Sequence, residues 1–425
     1  MDVAPGYRQT EVGVIPEDWE VAAFDDICMK IKDGTHFSPK LGGTKYLYVT
    51  SRNIKPGHLN LSGSQRISER EHRKIYAHCD TRRGDLLLTK DGVNTGNAAI
   101  NNLDEEISLL SSVAYLRFHT SHAPGFYLQY ILSINGQRHI KNRMSGNAIT
   151  RLTLKQIKTL RTPVPTLAEQ TAIAEALSDA DALIDALEAV RTKKTQVKQG
   201  AMQQLLTGKT RLPGFTNTGR YRQTEVGVIP EEWEVKRLDQ LANIDPENLS
   251  SHTSPDYRFK YISLEDIDAG RLTGFSEQSF ASAPSRARRK LRQDDVLVAT
   301  VRPNLMSHLF FRDYSEDWVC STGFCVLRCL KGLSSPAYLY AHMFSGAVNI
   351  QIDRLLVGSS YPAITNKDVH ALRIPVPPLA EQTAIAEVLS DMDAEIAAVE
   401  TKLTKAQQVK QGMMQALLTG RIRLV

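Results

Sequence analysis

The sequence of 425 residues lacks the features that mark a membrane or a secreted protein. No stretch approaches the roughly 18 consecutive apolar residues that a membrane span requires. The N-terminal Met-Asp-Val-Ala-Pro-Gly has neither the basic start nor the apolar core of a signal peptide. Five cysteines in a chain of this length are too few for a disulfide framework. We therefore expect a protein of the reducing cytoplasm.

Signatures of enzymatic chemistry are also missing. Residues 206–210, Leu-Thr-Gly-Lys-Thr, resemble the end of a phosphate-binding loop, but its first glycine would fall on Gln203. The sequence contains no Gly-x-Gly-x-x-Gly and no Asn/Asp-Pro-Pro-Tyr/Phe motif of an amino-methyltransferase. No constellation of His, Asp and Glu recurs in both halves. We therefore expect no catalytic residue and no cofactor in this chain.

Neither charge nor cysteine spacing demands a particular ligand. The 52 basic and 47 acidic residues leave a net charge of +5, which permits a nucleic-acid partner without requiring one. Cys320, Cys325 and Cys329 cluster, with His308 nearby, but no second cysteine pair completes a zinc-binding pattern. We expect these cysteines to be small buried side chains of strands, and no metal site.

The chain repeats itself, and a repeat of this length decides the architecture. Residues 7–21 read YRQTEVGVIPEDWEV, and residues 221–235 read YRQTEVGVIPEEWEV. A second pair, PVPTLAEQTAIAE and PVPPLAEQTAIAE, begins at residues 163 and 375, and its similarity continues to Gly208 and Gly420. Between these blocks the halves diverge strongly. We expect the constant parts to perform one task twice, while the variable parts face two different targets.

The repeat predicts four parts in chain order. They are a variable domain at residues 1–162, a helical spacer at 163–212, a second variable domain at 213–374 and a second spacer at 375–425. The variable parts, 13–160 and 227–372, read as mixed α/β, with short β-rich runs, turn-rich loops and a helix near residues 124–140.

The constant segments predict two long helices. Residues 168–206 contain no proline, and their apolar residues recur at steps of three and four, which keeps one seam along a helix. About 40 residues at roughly 1.5 Å each form a rod of about 60 Å. Thr166 and Glu169 suit a capping box at its start, and Gly208 and Gly420 suit helix ends. We expect antiparallel pairing of the two helices within the chain; separate linkers, or pairing with another chain, are the alternatives.

The predicted fold class follows from these parts. We expect two α/β (α+β) domains in a pseudo-two-fold arrangement, joined by two long antiparallel helices that form a coiled coil.

Polar loops in the variable domains carry side chains of the types that contact phosphates and base edges. The basic run at 286–290 lacks aromatic or amide neighbours in the sequence, which suits phosphates, although such a run also suits a solvated helix face. Arg302 and Asn304 follow a predicted strand and can pair with guanine or adenine. Lys-Asp-Gly at 90–92 is also a common turn, and Tyr361 either stacks or packs. The candidate DNA-contacting residues are Lys32, His36, Lys90, Asn94, Thr95, Asn147, Arg151, Arg286, Arg288, Arg289, Lys290, Arg302, Asn304, Ser359 and Tyr361.

The doubled motifs resemble a known family. Gly-x-Ile-Pro-x-x-Trp at 13–19 and 227–233, a variable domain, and Pro-x-Pro-x-Leu-x-Glu-Gln at 163–170 and 375–382 follow one another twice. This order is similar to that of the specificity subunits of type I restriction–modification enzymes, over essentially the whole chain.

The resemblance implies a non-catalytic subunit with two target recognition domains that bind a bipartite double-stranded DNA site. It also implies two methyltransferase subunits as partners, with restriction subunits in the full complex. S-adenosylmethionine, ATP and Mg²⁺ would belong to those partners. The alternative is a coiled-coil adaptor whose two domains bind proteins and have no DNA specificity.

Overall fold

The computed structural model describes residues 4–144, 151–215, 218–313, 315–357 and 362–424. The chain divides into two compact units. Unit 1 combines Met1–Glu188 with Thr401–Val425, and unit 2 is Ala189–Glu400. Each long helix therefore begins in one unit and ends in the other.

Unit 1 contains a variable domain of mixed helices and strands, as the sequence predicts. Its strands are Tyr7–Thr10, Gly13–Pro16, Glu20–Ala23, Cys28–Asp33, Leu41–Val49, Gln65–Ile67, Leu86–Thr89, Ala98–Ile100, Ile107–Leu109, Val113–Phe118 and Arg161–Val164. Its helices are Phe24–Ile27, Glu69–Tyr76, Pro124–Leu132, Ile134–Arg143 and Leu154–Lys158, followed by the start of Leu167–Leu205. The helix predicted near 124–140 is thus two helices, because Ser133 is extended and caps the second one through Gly136 N–H.

Unit 2 contains the second variable domain. Its strands are Tyr221–Thr224, Gly227–Pro230, Glu234–Arg237, Ala242–Ile244, Arg258–Ile262, Ile267–Asp268, Arg271–Leu272, Ser276–Ser279, Ala287–Lys290, Val296–Ala299, Leu309–Phe310, Trp318–Ser321, Phe324–Cys329 and Arg373–Val376. Its α-helices are Pro336–Met343, Gly346–Leu355, Asn366–Ala371 and the start of Leu379–Leu417, and its 3₁₀ helices are Leu238–Gln240, Leu264–Asp266 and Pro303–Leu305.

Each unit contains a four-stranded antiparallel sheet with the same order of equivalent strands. In unit 1 the order is 28–33, 113–118, 86–89 and 98–100. In unit 2 it is 242–244, 324–329, 296–299 and 309–310. The third strand is fully buried in both, as Leu86–Thr89 and Val296–Ala299. Because the third and fourth strands are antiparallel neighbours, a hairpin loop joins them in each unit.

A second sheet backs each of these sheets and contains a parallel pair. Leu41–Val49 runs parallel to Ile107–Leu109 in unit 1, and Arg258–Ile262 runs parallel to Trp318–Ser321 in unit 2. Short two-stranded sheets formed by the repeated motifs join each variable domain to its helix, for example Glu20–Ala23 with Arg161–Val164.

The two long helices pair antiparallel within each unit. In unit 1 Asp181 of the first helix forms an ion pair with Lys410 of the second at 2.5 Å. In unit 2 Lys194 contacts Glu395 at 2.6 Å, and Lys198 contacts Asp393 at 2.5 Å. The partner number falls as the residue number rises, so the helices run in opposite directions. The intrachain antiparallel coiled coil is confirmed, and the alternative of separate linkers is wrong.

Both long helices end as the sequence predicts. They span 39 residues each, Leu167–Leu205 and Leu379–Leu417. Gly208 and Gly420 follow at φ +68°, a left-handed conformation that glycine adopts without strain. A Cβ at Gly420 would meet Pro16 and Trp19 of the repeated motif, and one at Gly208 would meet Pro230 and Trp233. In each unit the glycine backbone thus lies against a proline and a tryptophan of the repeated motif, which accounts for the identity of these residues in both copies.

Each unit contains an arginine clamp, in which an arginine that follows the end of one long helix pairs with a glutamate in the first turn of the other. In unit 1 the carboxylate of Glu169 is fully buried, accepts a hydrogen bond from Trp19 Nε1 at 3.0 Å, and is paired with Arg423. Arg423 also contacts Asp18, and its hydrogen bond lowers the pKa of that carboxyl. The clamp of unit 2 joins Arg211 to the buried Glu381 at 2.5 and 2.7 Å.

The clamp changes one detail of the predicted helix start. Thr166 Oγ1 accepts from Glu169 N–H at 3.3 Å, so Thr166 is the expected cap. The Glu169 side chain is used in the clamp instead of returning to the cap. Within the described ranges, no helix is long and apolar enough to cross a membrane.

Candidate nucleic-acid interface

Two equivalent hairpin loops carry five of the candidate DNA-contacting residues, Lys90, Asn94, Thr95, Arg302 and Asn304. Loop 1, residues 90–97, follows the buried strand Leu86–Thr89 in unit 1, and loop 2, residues 300–307, follows Val296–Ala299 in unit 2. A bridge ties each loop to a later segment, Asp91 to Arg151 and Val301 to Ala363. Because buried strands hold both ends, each loop presents its tip from a rigid base.

The loops share their backbone conformation although their residues differ. Gly92 and Gly96 in loop 1 have φ of +91° and +98°, and the equivalent Arg302 and Met306 in loop 2 have φ of +48° and +52°. In loop 1 the Gly92 carbonyl accepts from Thr95 N–H at 3.0 Å, and in loop 2 the Arg302 carbonyl accepts from Leu305 N–H at 2.9 Å. An asparagine lies between the left-handed positions in both loops, as Asn94 and Asn304.

In loop 1 the predicted residues have different surroundings. Asn94 is half-buried, and Thr95 Oγ1 donates to the Gly92 carbonyl at 2.6 Å. Lys90 is only 3% exposed and forms ion pairs with Asp33 at 3.3 Å and Asp91 at 3.2 Å.

This burial corrects the role proposed for Lys90. A DNA contact would require its ammonium group to leave both carboxylates, so Lys90 instead holds the loop in place. Arg151 is exposed and pairs with Asp91 at 3.0 Å. That pair leaves Arg151 at the surface beside loop 1, where it stays a predicted DNA contact.

Lys32 and His36 lie together at an open cavity of about 370 Å³ in unit 1. Both side chains are exposed, with Lys32 Nζ donating to the His78 carbonyl at 3.3 Å and His36 Nε2 3.5 Å from Asp33. Lys74 and His78 also line this cavity. Since Asp33 pairs with Lys90, the cavity adjoins the base of loop 1. Such a concentration of basic side chains suits the DNA backbone.

Loop 2 presents its predicted residues outward. Arg302 and Asn304 are both exposed, and Pro303 between them is buried. Beneath the loop, His308 is fully buried and accepts a hydrogen bond from Ala299 N–H through Nδ1 at 3.1 Å. Burial lowers the pKa of His308 to about 4. A neutral imidazole therefore closes the hairpin.

Residues Ala287–Lys290 of the basic run form a strand, and the helix-face alternative is wrong. Ala287–Lys290 pairs antiparallel with Trp318–Ser321. The run has no aromatic or amide neighbours in the sequence, but the fold brings aromatic rings and an asparagine against it. The Arg288 guanidinium lies 4.9 Å from the Phe280 ring centre, and Lys290 Nζ lies 5.9 Å from that of Tyr257.

Two members of this run differ most clearly. Arg289 is largely buried, pairs with Asp245 at 2.8 Å and donates to Asn248 Oδ1 at 3.2 Å. Arg286 is exposed. Arg289 therefore stabilises the unit, and Arg286 is the member best placed for a phosphate.

Three predicted contacts, Asn147, Ser359 and Tyr361, lie outside the described residues. Cys320, Cys325 and Cys329 are free thiols in the strands Trp318–Ser321 and Phe324–Cys329. Cys320 and Cys325 are buried as expected, whereas Cys329 is half-buried. Across the portion of the chain with described positions, no group of three or more His, Cys, Asp or Glu side chains could hold a metal ion.

Sequence reasoning missed two loop residues, Val93 and Leu305. Val93 is fully exposed at the tip of loop 1, and Leu305 is 58% exposed at the tip of loop 2. The signal that could have found them is the alignment of the two loops, which places each beside the shared asparagine.

One known protein family matches this chain in two segments, one in each half of the internal repeat. The sequence profile of the type I restriction modification DNA specificity domain matches residues 16–199 and again residues 230–408. The type I restriction enzyme MjaVIII specificity subunit of Methanocaldococcus jannaschii is 25% identical over 423 residues, covering 96% of this chain and 94% of that protein. The EcoDI specificity subunit of Escherichia coli is 21% identical over 317 residues, 70% of this chain and 69% of that protein.

A solved structure shares the fold. The S subunit of the type I restriction–modification system from M. genitalium matches with a TM-score of 0.60 at 15% identity, over 94% of this chain and 96% of that one. The profile covers well over half of the chain, in two copies that coincide with the internal repeat. The chain belongs to the type I restriction–modification DNA specificity family.

Proposed function

We propose that this chain reads a bipartite double-stranded DNA site, with loop 1 and its surroundings reading one half-site and loop 2 the other. The observation that carries the proposal is the equivalence of the two loops. Their backbones agree at both left-handed positions, while the side chains on either side of the shared asparagine differ. A shared scaffold with different tips suits one task performed on two sequences, which the protein-binding adaptor does not explain.

The division of labour follows from exposure. Asn94, Asn304 and Arg302 can pair bidentately with adenine or guanine in the major groove. Arg286 and Lys32 supply positive charge that positions the DNA backbone without reading it, and His36 lies beside Lys32 at the same cavity. The chain itself acts as a non-catalytic reader in the cytoplasm.

Methyltransferase subunits are the proposed partners of the coiled coil, and restriction subunits join the full complex. Val190 and Val197, both in unit 2, are exposed on the first long helix seven residues apart, which places them on one helix face. In this proposal S-adenosylmethionine, ATP and Mg²⁺ bind those partners. Val190→Lys should reduce copurification of the methyltransferase, whereas Thr192→Lys on another face should not.

The methylome of a cell that expresses the chain with its methyltransferase tests the reading function. We expect methylation at one bipartite motif. Exchanging residues 13–160 for those of a relative should change one half-site only. If both half-sites change together, or if methylation has no sequence preference, the proposal fails.

A further inference from the structure

The tips of loops 1 and 2 each expose an apolar side chain beside an asparagine, and these two groups together match features of an A·T base pair. Val93 precedes Asn94 in loop 1, and Leu305 follows Asn304 in loop 2. Val93 is 100% exposed and Leu305 is 58% exposed. An isolated exposed apolar residue needs no explanation, but the same pairing on two equivalent loops does.

Both tips are held rigidly. Loop 2 is fixed by the buried Pro303, by the hydrogen bond from Ala299 N–H to His308 and by the bond from Arg302 N–H to the Pro362 carbonyl at 2.7 Å. In loop 1 the Thr89 carbonyl accepts from Gly96 N–H at 2.9 Å, and Asn97 Nδ2 donates to the Ile54 carbonyl at 3.2 Å. The apolar groups are therefore presented without a loss of loop entropy on binding.

Loop 2 also adopts its conformation at a cost. Arg302 and Met306 are left-handed at positions where loop 1 has glycines. Non-glycine residues persist in this conformation where the surrounding structure holds them, and they concentrate at functional sites. The strain lies on both sides of Asn304 and Leu305, so the backbone of this tip is held in place from both sides.

We propose that Leu305 and Val93 contact the 5-methyl group of a thymine in the major groove, next to the adenine-binding amide of Asn304 or Asn94. The inference rests on the proposed function and deepens it. Adenine offers N7 as acceptor and N6–H₂ as donor, which match the two ends of an asparagine amide, and thymine adds a methyl group that a leucine or valine can cover. Each loop thus reads A·T pairs, and the order of amide and apolar group differs between the loops.

Deoxyuridine provides the test, because it removes the thymine methyl and leaves base pairing intact. Once the methylome gives the site, each thymine is replaced singly, and binding of the full chain with its methyltransferase is measured. We expect one position in each half-site at which the substitution weakens binding about three- to five-fold, the effect of exposing one methyl group.

Variants assign the positions. Leu305→Ala should bind the thymine duplex about as weakly as the wild type binds the deoxyuridine duplex, and should lose its sensitivity in one half-site only. Val93→Ala should lose sensitivity in the other half-site. Leu333→Ala, at a residue of unit 2 that is 49% exposed, is the matched control and should retain both sensitivities. Thermal melting verifies that each variant is folded.

The outcomes are distinguishable. If the wild type binds every deoxyuridine duplex as tightly as the thymine duplex, the proposal is overturned while sequence-specific binding stands. If Leu305→Ala loses affinity equally for all duplexes, the leucine acts as a wedge or a backbone contact, which also overturns it. If no sequence is preferred at all, the proposed function fails first.

Discussion

Gly92 and Arg302 occupy the same position in two loops that share little sequence, and both are left-handed, at φ +91° and +48°. Glycine adopts this conformation freely, whereas a residue with a Cβ does so at a cost of about 1–2 kcal/mol. Unit 2 therefore keeps an arginine where glycine would be the less strained choice. Folding alone would favour glycine at position 302, so we attribute the arginine there to DNA recognition.

Replacing Arg302 with glycine should therefore affect stability and DNA binding differently. We expect the free energy of unfolding to stay the same or to rise by up to about 1 kcal/mol, because relief of strain offsets the entropy that glycine loses on folding. Binding to the cognate duplex should weaken by about 1–3 kcal/mol, with relaxed preference at one base position. Urea unfolding and binding to cognate and scrambled duplexes measure the two effects.

Gly92→Ala is the matched control for stability. A Cβ at Gly92 meets no atom within 4 Å, so the change tests conformation alone. It should destabilise unit 1 by about 1 kcal/mol or more.

For Arg302→Gly, an equal loss of affinity for the cognate and the scrambled duplex would make Arg302 a phosphate contact instead.

The arginine clamp of unit 1 should contribute strongly to stability. Arg423→Ala leaves the fully buried Glu169 carboxylate without its charge partner, which should cost about 3 kcal/mol in the free energy of unfolding. Adding Glu169→Gln should recover part of this loss, because the buried charge is removed as well. Arg421→Ala, at an exposed neighbour, should change stability by less than about 0.5 kcal/mol. A clamp variant as stable as the Arg421 variant would show that the pair is not needed.

The buried His308 should make unit 2 sensitive to acid. Burial lowers the pKa of His308 to about 4, below the ordinary value of 6.5, so the unfolded chain binds the proton more readily. Stability is fully present above pH 6.5 and is lost as the pH falls towards 4, by up to about 3 kcal/mol from this residue. His342, whose pKa burial lowers to about 3, acts in the same direction.

His308→Asn isolates the contribution of His308. An asparagine Oδ1 can accept the Ala299 N–H bond as Nδ1 does, but it does not titrate in this range. Denaturation of this variant between pH 6.5 and 4 should show a smaller slope than that of the wild type. An unchanged slope would assign the acid sensitivity to other groups.

Arg286 and Arg289 should respond differently to alanine substitution. Loss of the exposed Arg286 should weaken binding to cognate and scrambled duplexes alike and lower the salt slope by about one unit. Loss of Arg289 should lower the free energy of unfolding instead, because Asp245 would lose its ion pair. A salt series and a urea titration distinguish the two. A sequence-dependent loss with Arg286→Ala would contradict its assignment to phosphate.

The paired helices are expected to set the spacing between half-sites. Leu187 follows Asp181 by six residues on the first helix, and Thr404 precedes Lys410, the ion-pair partner of Asp181, by six residues on the second. Inserting four residues after each lengthens the coiled coil by about 6 Å. The preferred spacer should grow by one to two base pairs, with both half-sites retained in the methylome. An unchanged spacer would rule out the coiled coil as the ruler.

Much of the architecture could be predicted because it follows from periodicity and repetition. The lack of proline and the steps of three and four set the first long helix to within one residue, and the repeat showed that each motif is used twice. Thr166 was identified as the cap, yet nothing local to Glu169 indicates that its carboxylate binds Arg423, since that contact spans 254 residues.

The side-chain surroundings of the site were harder to predict for the same reason. Lys90 and Arg289 are basic residues in polar segments, and only the tertiary structure shows that they form ion pairs with Asp33 and Asp245. The run at 286–290 lacks alternating hydrophobicity because one strand face carries cations over Phe280 and Tyr257. Cation–π packing of this kind leaves no periodic pattern in the sequence.

The division of the chain into units has a consequence for its synthesis. Unit 2 is one continuous segment, whereas unit 1 joins the first 188 residues to the last 25. A ribosome therefore releases every part of unit 2 before it releases the final piece of unit 1. The half of the protein that is translated first is completed last, when Arg423 emerges and covers Glu169. A message that ends after the codon of Glu400 would yield a finished second unit and a first unit that still exposes the seam of its helix.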